Sequence, residues 1–248
     1  LTRFLDPDEK RGSKLLLPIR LTKHFNKLIS EGWLLKKSIK LDMSRKRVIF
    51  CFEKQFNKRA DGAVIGIDIG IVDVIADSKG NKTSDNAHPH SWTMTKVLQR
   101  LKNRKRGSKG FKRAQDLRNN FIGWAVNKLN LSGVKEIKLE NIKNMKKGKT
   151  VDRFRNGWSY PQIFDRIKRR AEEQNVSVTL IDPRNTSRTC SSCGAVDVNS
   201  RKGKLFECTI CGFTTDADLN AAKNISHSVP LAQRRGVYSP SCKKKALE

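Results

Sequence analysis

Cys190, Cys193, Cys208 and Cys211 form two Cys-x-x-Cys pairs, C-S-S-C-G and C-T-I-C-G, with fourteen residues between them. Two thiols three positions apart on a tight turn can fill two corners of a tetrahedron, and a second such turn fills the other two. Zn²⁺ favours that geometry and those soft ligands. Gly194 and Gly212 follow the two pairs, where the turn calls for a residue tolerant of positive φ. The rival chemistry is two disulfides or a redox pair, and paired knuckles at this spacing favour the metal. With four protein thiolates, no corner is open to water, so a zinc here is structural and not catalytic. The chain then reads D-A-D-L-N-A-A-K-N-I, a helix start with Asp216 as its N-cap. Counting three, four and seven residues on from Asp218 gives Ala221, Ala222 and Ile225, an apolar face. A carboxylate on that face needs a cation beside it. Either it meets one, or both aspartates simply complement the helix dipole.

Two more acids stand out upstream. In V-I-G-I-D-I-G, Val64 to Gly70, isoleucines alternate with Gly66, Asp68 and Gly70, which predicts a central strand with a single charge on one face. The flanking glycines admit a ligand or another backbone. Asp68 is either hydrogen-bonded structure or a metal ligand, and the ligand is favoured. Glu140 closes V-K-E-I-K-L-E, a second predicted strand, on the face of Glu136 and Lys138; by itself it reads as a solvated edge residue. Acids on a first strand, a later strand and a last helix are together what two-metal phosphoryl chemistry requires. Hard carboxylate oxygens suit Mg²⁺ or Mn²⁺, and a substrate phosphate completes the shell.

The elements that position these groups follow from pattern. Leu34 to Leu41 and Arg47 to Glu53 alternate as strands after a helix-like piece near His24 to Ile29. Ile71 to Asp77 is expected as a strand in hairpin with the first, and Ser91 to Thr95 as a further strand. His88 and His90 fall between them in a solvated loop. Lys96 to Arg118 is dense in cations, including Lys102, Arg104, Lys105, Arg106, Lys109, Lys112 and Arg113, and leads into an amphipathic helix through Trp124, which is expected in the core. The loop 143–157 adds Lys146 and Lys147. A helix from Ser159 or Tyr160 with Pro161 in its first turn, then a strand from Val176 to Ile181, deliver the chain to Arg184 and the cysteine pairs. Cys51 is expected buried as a small hydrophobe, and Cys242 lies in a basic tail.

Lys and Arg total 52 against 24 Asp and Glu, a net charge of +28. So large an imbalance opposes compaction and attracts phosphate backbones, making nucleic acid the first-choice partner. A membrane role is disfavoured, because no apolar run is long enough to span a bilayer and no signal peptide is evident. Six cysteines, four of them in metal spacing, fit a reducing cytosol. Leu1 stands where a Met would begin a native chain, which leaves a longer protein open.

G-I-D-I-G, then L-E-N, then D-P-R-N-T-S-R-T-C-S-S-C-G with C-x-x-C-G and D-A-D-L-N-A-A-K-N-I resembles the TnpB (OrfB) family of insertion sequences, relatives of the compact type V CRISPR effector nucleases. The resemblance runs from about Val64 to Ser226. It implies an α/β, RNase H-like (RuvC) mixed sheet with helices, an inserted four-cysteine zinc ribbon and a partial N-terminal β-rich, wedge-like segment. It divides the chain into 1–63 (wedge-like), 64–183 (first part of the core, with a basic helical insertion at 96–130), 184–215 (zinc ribbon), 216–235 (last helix of the core) and 236–248 (basic tail). It also implies that Asp68, Glu140 and Asp218 are catalytic acids binding Mg²⁺ or Mn²⁺. That raises Glu140 from its solvated reading and selects Asp218 over Asp216. The family cuts DNA with a guide RNA bound by N-terminal lobes. Residues 1–63 resemble at most the end of the guide-gripping barrel, and the stretch between Asp68 and Glu140 is short for the family. A guide-free nuclease of the Holliday-junction-resolvase kind, or a non-cleaving guided regulator, are the alternative expectations.

Overall fold

The computed structural model describes residues 2–4, 13–15, 19–44, 46–55, 57–142 and 158–231. Lys146, Lys147, the rest of the loop 143–157, Cys242 and the tail 236–248 lie outside the described residues. The chain divides into two compact units, Leu1–Asn57 and Lys58–Glu248.

In the first unit, β1 (Thr2–Phe4) pairs antiparallel with β2 (Ser13–Leu15), and β3 (Leu34–Asp42) with β4 (Arg47–Glu53). Helix α1 (Lys23–Ser30) is capped by Thr22, whose hydroxyl accepts from the Phe25 N–H. Phe25 packs edge-on against Phe50 and Phe52, with centroids 5.1 and 5.2 Å away. That contact fixes which face of β4 is covered. Val48, Phe50 and Phe52 are half-buried, so by the two-residue period Cys51 is exposed. The expectation of a buried Cys51 is corrected here: the aromatic neighbours own the covered face.

The second unit is built on a four-stranded sheet ordered β6-β5-β7-β8, with β5 Ala63–Asp68, β6 Ala76–Asp77, β7 Val134–Glu140 and β8 Ser177–Ile181. β5, β7 and β8 run parallel, and β6 is an antiparallel edge. On one face Ile65, Ile67, Ile137 and Leu139 meet three helices: α2 (Met94–Lys102), α3 (Lys109–Asn127) and α4 (Tyr160–Glu173). α2 contributes Met94, Val97, Leu98 and Leu101, and α4 contributes Ile163, Ile167 and Ala171. These side chains recur at helical spacing, and all are nearly sealed from solvent. Trp124 is half-buried against this core, as expected.

The other face is covered by α5 (Ala217–His227). Gly66 makes this contact possible. A Cβ there would stand 2.1 Å from the Ala222 carbonyl oxygen and 2.4 Å from the Ser226 nitrogen. The close approach the glycines foretold is therefore made by backbone.

Two strand expectations are corrected. Ser91–Thr95 is not a strand: Thr93 caps α2, its hydroxyl accepting from the Lys96 N–H at 3.3 Å. The four buried residues of α2 impose a helical period that overrides the β-leaning composition of so short a piece. The strand expected over Ile71–Asp77 is reduced to Ala76–Asp77. The Gly70 N–H donates to the Asp73 carbonyl and turns the chain, and Asp73 itself is buried. The loop histidines also part company. His90 is exposed, but His88 is half-buried, stacked 5.4 Å from Phe121 and edge-on 4.9 Å from Trp124. Among the described residues no helix is long and apolar enough to cross a membrane.

Candidate active site

Asp68 and Glu140 each end their strand, one residue past the paired Ile67 and Leu139 of the parallel ladder. They lie on the face opposite the isoleucine core, the face that α5 covers, at the carboxyl edge where open α/β sheets receive ligands. Asp218 lies in the first turn of α5 and is 5% exposed. Asp216 is the N-cap, its Oδ1 accepting from the N–H groups of Asp218 and Leu219 at 3.0 and 3.1 Å. Although partial burial opposes it, the Lys82 ammonium at 2.6 Å and those N–H groups hold Asp216 below the usual carboxylate range. The two aspartates thus divide the labour that the sequence left undecided: one builds the helix start, the other faces inward.

The site is electrostatically loaded. Burial, then the charges of Glu140 and Asp218, push Asp68 from 3.8 up to about 7, against the opposing pull of Arg201. Burial also raises Glu140, although Thr186 and Arg201 oppose it. The Thr186 hydroxyl donates to Glu140 Oε1 and the Tyr160 hydroxyl to the Glu140 carbonyl. Arg201 donates to Asp218 Oδ1 at 3.0 Å, and Lys204 bridges Asp218 Oδ2 and Asp73 Oδ2. These three acids are not drawn into one tight cluster. Among the described residues, the cysteines form the one group of three or more candidate ligand atoms within 4.8 Å of one another.

Three carboxyl groups, Asp218 buried and Asp68 and Glu140 half-buried, offer the hard oxygens that a divalent cation takes. The folded chain holds a proton on Asp68 up to about pH 7, so its stability contribution is present at low pH and is lost as pH rises from the unfolded carboxylate value through 7. Without added magnesium, Asp68→Asn is expected to be more stable than the wild type by about 2–4 kcal/mol at pH 8 and by almost nothing at pH 4. Thermal melts of the zinc-replete proteins across that range check it.

The sulfurs of Cys190 and Cys211 are 3.8 Å apart, and those of Cys193 and Cys208 3.7 Å. Both separations exclude disulfides, whose bond is about 2.05 Å, and match the roughly 3.8 Å edge of a tetrahedron with zinc–sulfur bonds of about 2.3 Å. The two knuckles repeat one another. Gly194 and Gly212 take φ of +77° and +71°. Their N–H groups donate to the carbonyls of Cys190 and Cys208, both at 2.9 Å. The N–H groups of Cys211 and Ile210 hold the Cys208 thiol down at about 7. Cys211, despite the Phe213 N–H beside it, is pushed up to about 12 by the neighbouring sulfurs. The four cysteines are therefore placed to hold a metal such as zinc. β9 (Arg201–Lys202), β10 (Leu205–Glu207) and β11 (Thr214–Asp216) form the small sheet beside them. Asn220, fully buried on α5, ties helix and knuckle together: it accepts from the Ser191 N–H and donates to the Thr189 carbonyl.

Of the cations singled out for phosphate, Arg104, Lys105, Arg106, Lys109, Lys112 and Arg113 are exposed around the α2–α3 connection, and Lys102 is half-buried. Arg184 is exposed and paired with Asp182 at 2.6 Å. Sequence reasoning missed Thr186, Arg201, Lys204 and Asp73. Only the T-S-R that follows D-P-R-N hinted at Thr186, and R-K-G-K looks like any solvated hairpin.

The comparisons bear on the same C-terminal region. Residues 160–225 match the domain family described as Cas12f1-like, TNB domain. The chain is 38% identical over 95 residues to the CRISPR-associated endodeoxyribonuclease Cas12f1 of Sulfoacidibacillus thermotolerans, covering 38% of this chain and 22% of that protein. It is 32% identical over 91 residues to a TnpB-like protein of Aquifex aeolicus (strain VF5), covering 35% of this chain and 30% of that protein. A solved Cas12f1–sgRNA–target DNA complex overlaps 79% of this chain and 64% of that one at 20% identity, with a TM-score of 0.47, too loose a likeness to carry an argument. The matched stretches thus span under a third of the curated relatives' lengths. Over this shared domain and the motifs around it, the chain is similar to the TnpB proteins and compact type V effectors.

Proposed function

We propose that this chain is a metal-dependent DNA endonuclease of RuvC type on an RNase H-like core, guided by RNA. Asp68, Glu140 and Asp218 hold Mg²⁺ or Mn²⁺, and the four cysteines hold a structural Zn²⁺. One observation carries the reading: acids from two strand ends and a helix start, up to 150 residues apart in sequence, meet on a single face of the sheet, closely enough that Glu140 and Asp218 add to burial in pushing the Asp68 carboxyl up. Divalent ions held there supply Lewis-acid charge at the phosphate and an acidified water for hydrolysis.

The chain's own groups do the rest. Asp68, whose carboxyl is raised to about 7, would release its proton on holding a cation. Thr186 fixes one oxygen of Glu140, its Oε1. Arg201, which lies near all three acids, is placed to meet a phosphate oxygen entering the site. Lys105, Arg106, Lys109, Lys112 and Arg113 offer the exposed charge that grips nucleic-acid backbone. In such a protein the RNA–DNA pairing reads sequence, while the protein reads shape and charge. The relative named an endodeoxyribonuclease supports DNA as the substrate, and unpaired thiolates support a reducing cytosol.

The decisive experiment expresses the chain with its native flanking DNA and sequences whatever RNA copurifies. One discrete RNA species that directs Mg²⁺-dependent cutting of complementary DNA is the expected result. A preparation free of RNA that cuts branched DNA would replace guidance by the guide-free alternative.

A further inference from the structure

We propose that the Lys204 ammonium is a built-in counter-ion of the acid site, displaced by an incoming divalent cation from Asp218 onto Asp73. The proposal rests on reading Asp218 as a metal ligand, and goes beyond it by giving roles to two residues that lie outside the three acids.

The placement of Lys204 is specific. It sits in the turn between β9 and β10, where Gly203 takes φ of +64°. Its backbone carbonyl accepts the Ala217 N–H at 2.8 Å, pinning the turn to the start of α5, one residue from Asp218. The side chain then bridges two carboxylates, Asp218 Oδ2 and Asp73 Oδ2, the latter at 2.8 Å. Both acids are at least nine-tenths buried, 5% and 4% exposed, so each requires a cation or strong donors. Asp218 has Arg201 as well. Asp73 has the Ser84 N–H on Oδ1 at 3.0 Å and Lys204 on Oδ2.

This asymmetry makes the bridge displaceable. Were Asp218 to hold a metal, Lys204 would keep a partner in Asp73, so no charge would be stranded. The Lys204 side chain is 46% exposed, and its four-carbon stem can pivot from one acid to the other. Arg201 cannot act this way. Its Nε is tied to the Gly203 carbonyl at 3.3 Å, and its hydrogen bonds reach one carboxylate, Asp218. Asp73, a buried acid that is not one of the three candidate ligands and sits 2.8 Å from the bridging lysine, is best explained as that lysine's resting place.

The test is calorimetric titration of Mn²⁺ into the full, zinc-loaded, magnesium-free chain. Lys204→Met is expected to tighten Mn²⁺ binding about tenfold, because the competing charge is gone. Asp73→Asn is expected to weaken it several-fold, because Lys204 then has nowhere to go. In the double variant, Asp73→Asn should add nothing to Lys204→Met. That equality separates displacement from simple charge summation, in which removing Asp73 would weaken binding in either background. Unchanged or weaker binding in Lys204→Met, or a persistent Asp73→Asn effect in the double variant, would overturn the proposal. So would unfolding of both Lys204→Met and Lys204→Gln, since a bridge needed for folding is not one a metal displaces. A different result, a wild type that takes up Mn²⁺ no better than Asp68→Ala, would overturn the metal-site reading itself.

Discussion

Replacing Asp68 with alanine is expected to reduce Mg²⁺-dependent DNA cutting at least about a thousandfold, some 4 kcal/mol of transition-state stabilisation, without loosening the fold. The two halves of that expectation have one cause. Asp68 is strained by its surroundings, pushed to about 7 by burial and by its two acidic neighbours. A group so placed is a burden to the metal-free protein and is useful only when a cation offsets it. The alanine variant should therefore melt no lower than wild type in magnesium-free buffer and should bind nucleic acid as well, since the exposed cations of α2 and α3 are untouched. It should also lose the stabilisation that added Mg²⁺ gives wild type. Cleavage assays, gel shifts and melts with and without Mg²⁺ read these separately. Full cutting by Asp68→Ala would remove the nuclease assignment. Lost cutting together with a collapsed melt would mean that Asp68 is structural, which its burial beside two like charges argues against.

The parts of this site that were legible in the sequence are those whose signal is local. The cysteine spacing needs no tertiary knowledge, and the Asp216 cap and the Asp218 face follow from counting along one helix. Asp68 drew notice as a lone charge in an apolar strand. Glu140 was not separable from an edge residue, because its strand alternates as a solvated one would. Its cover comes from across the chain: it lies on the face that α5 closes, and the Thr186 hydroxyl that donates to it is 46 residues away. Lys204 and Asp73 were invisible for the same reason at greater range, being partners across 131 residues. The corrected strand at Ser91–Thr95 shows the reverse error. Its residues favour extended backbone, but Val97, Leu98 and Leu101, which set the helical period, lie beyond it in sequence. The misplaced Cys51 reflects a choice of face that only Phe25, on another element, could decide.

Cys193→Ser is expected to unfold the small ribbon sheet and, through it, to silence a site containing none of its own carboxylates. The apolar core of this region is Cys190, Phe206, Cys208 and Ala217, with Ala195 and Phe213 packed at its margin. Two of those four core residues are themselves candidate metal ligands, so the core cannot hold its sheet without the metal. A structural zinc commonly supplies on the order of 10 kcal/mol to such a fold, and no combination of two aromatic side chains replaces that. The consequence reaches the acids because the ribbon carries Arg201 and Lys204 to Asp218, and because β11 ends at Asp216, the residue that caps α5. Elemental analysis should find one zinc per wild-type chain. In Cys193→Ser, proteolysis should open between residues 190 and 216, while Ile65, Ile137, Ile163 and the rest of the main core keep the sheet folded. Cys51→Ser, at an exposed position in the first unit, should change none of this. Zinc-free native protein with a protected ribbon would refute the metal. A ribbon that unfolds while cutting persists would break the claimed link between the thiolates and Asp218, leaving two independent sites where the hydrogen bonds of Arg201, Lys204 and Asn220 describe one.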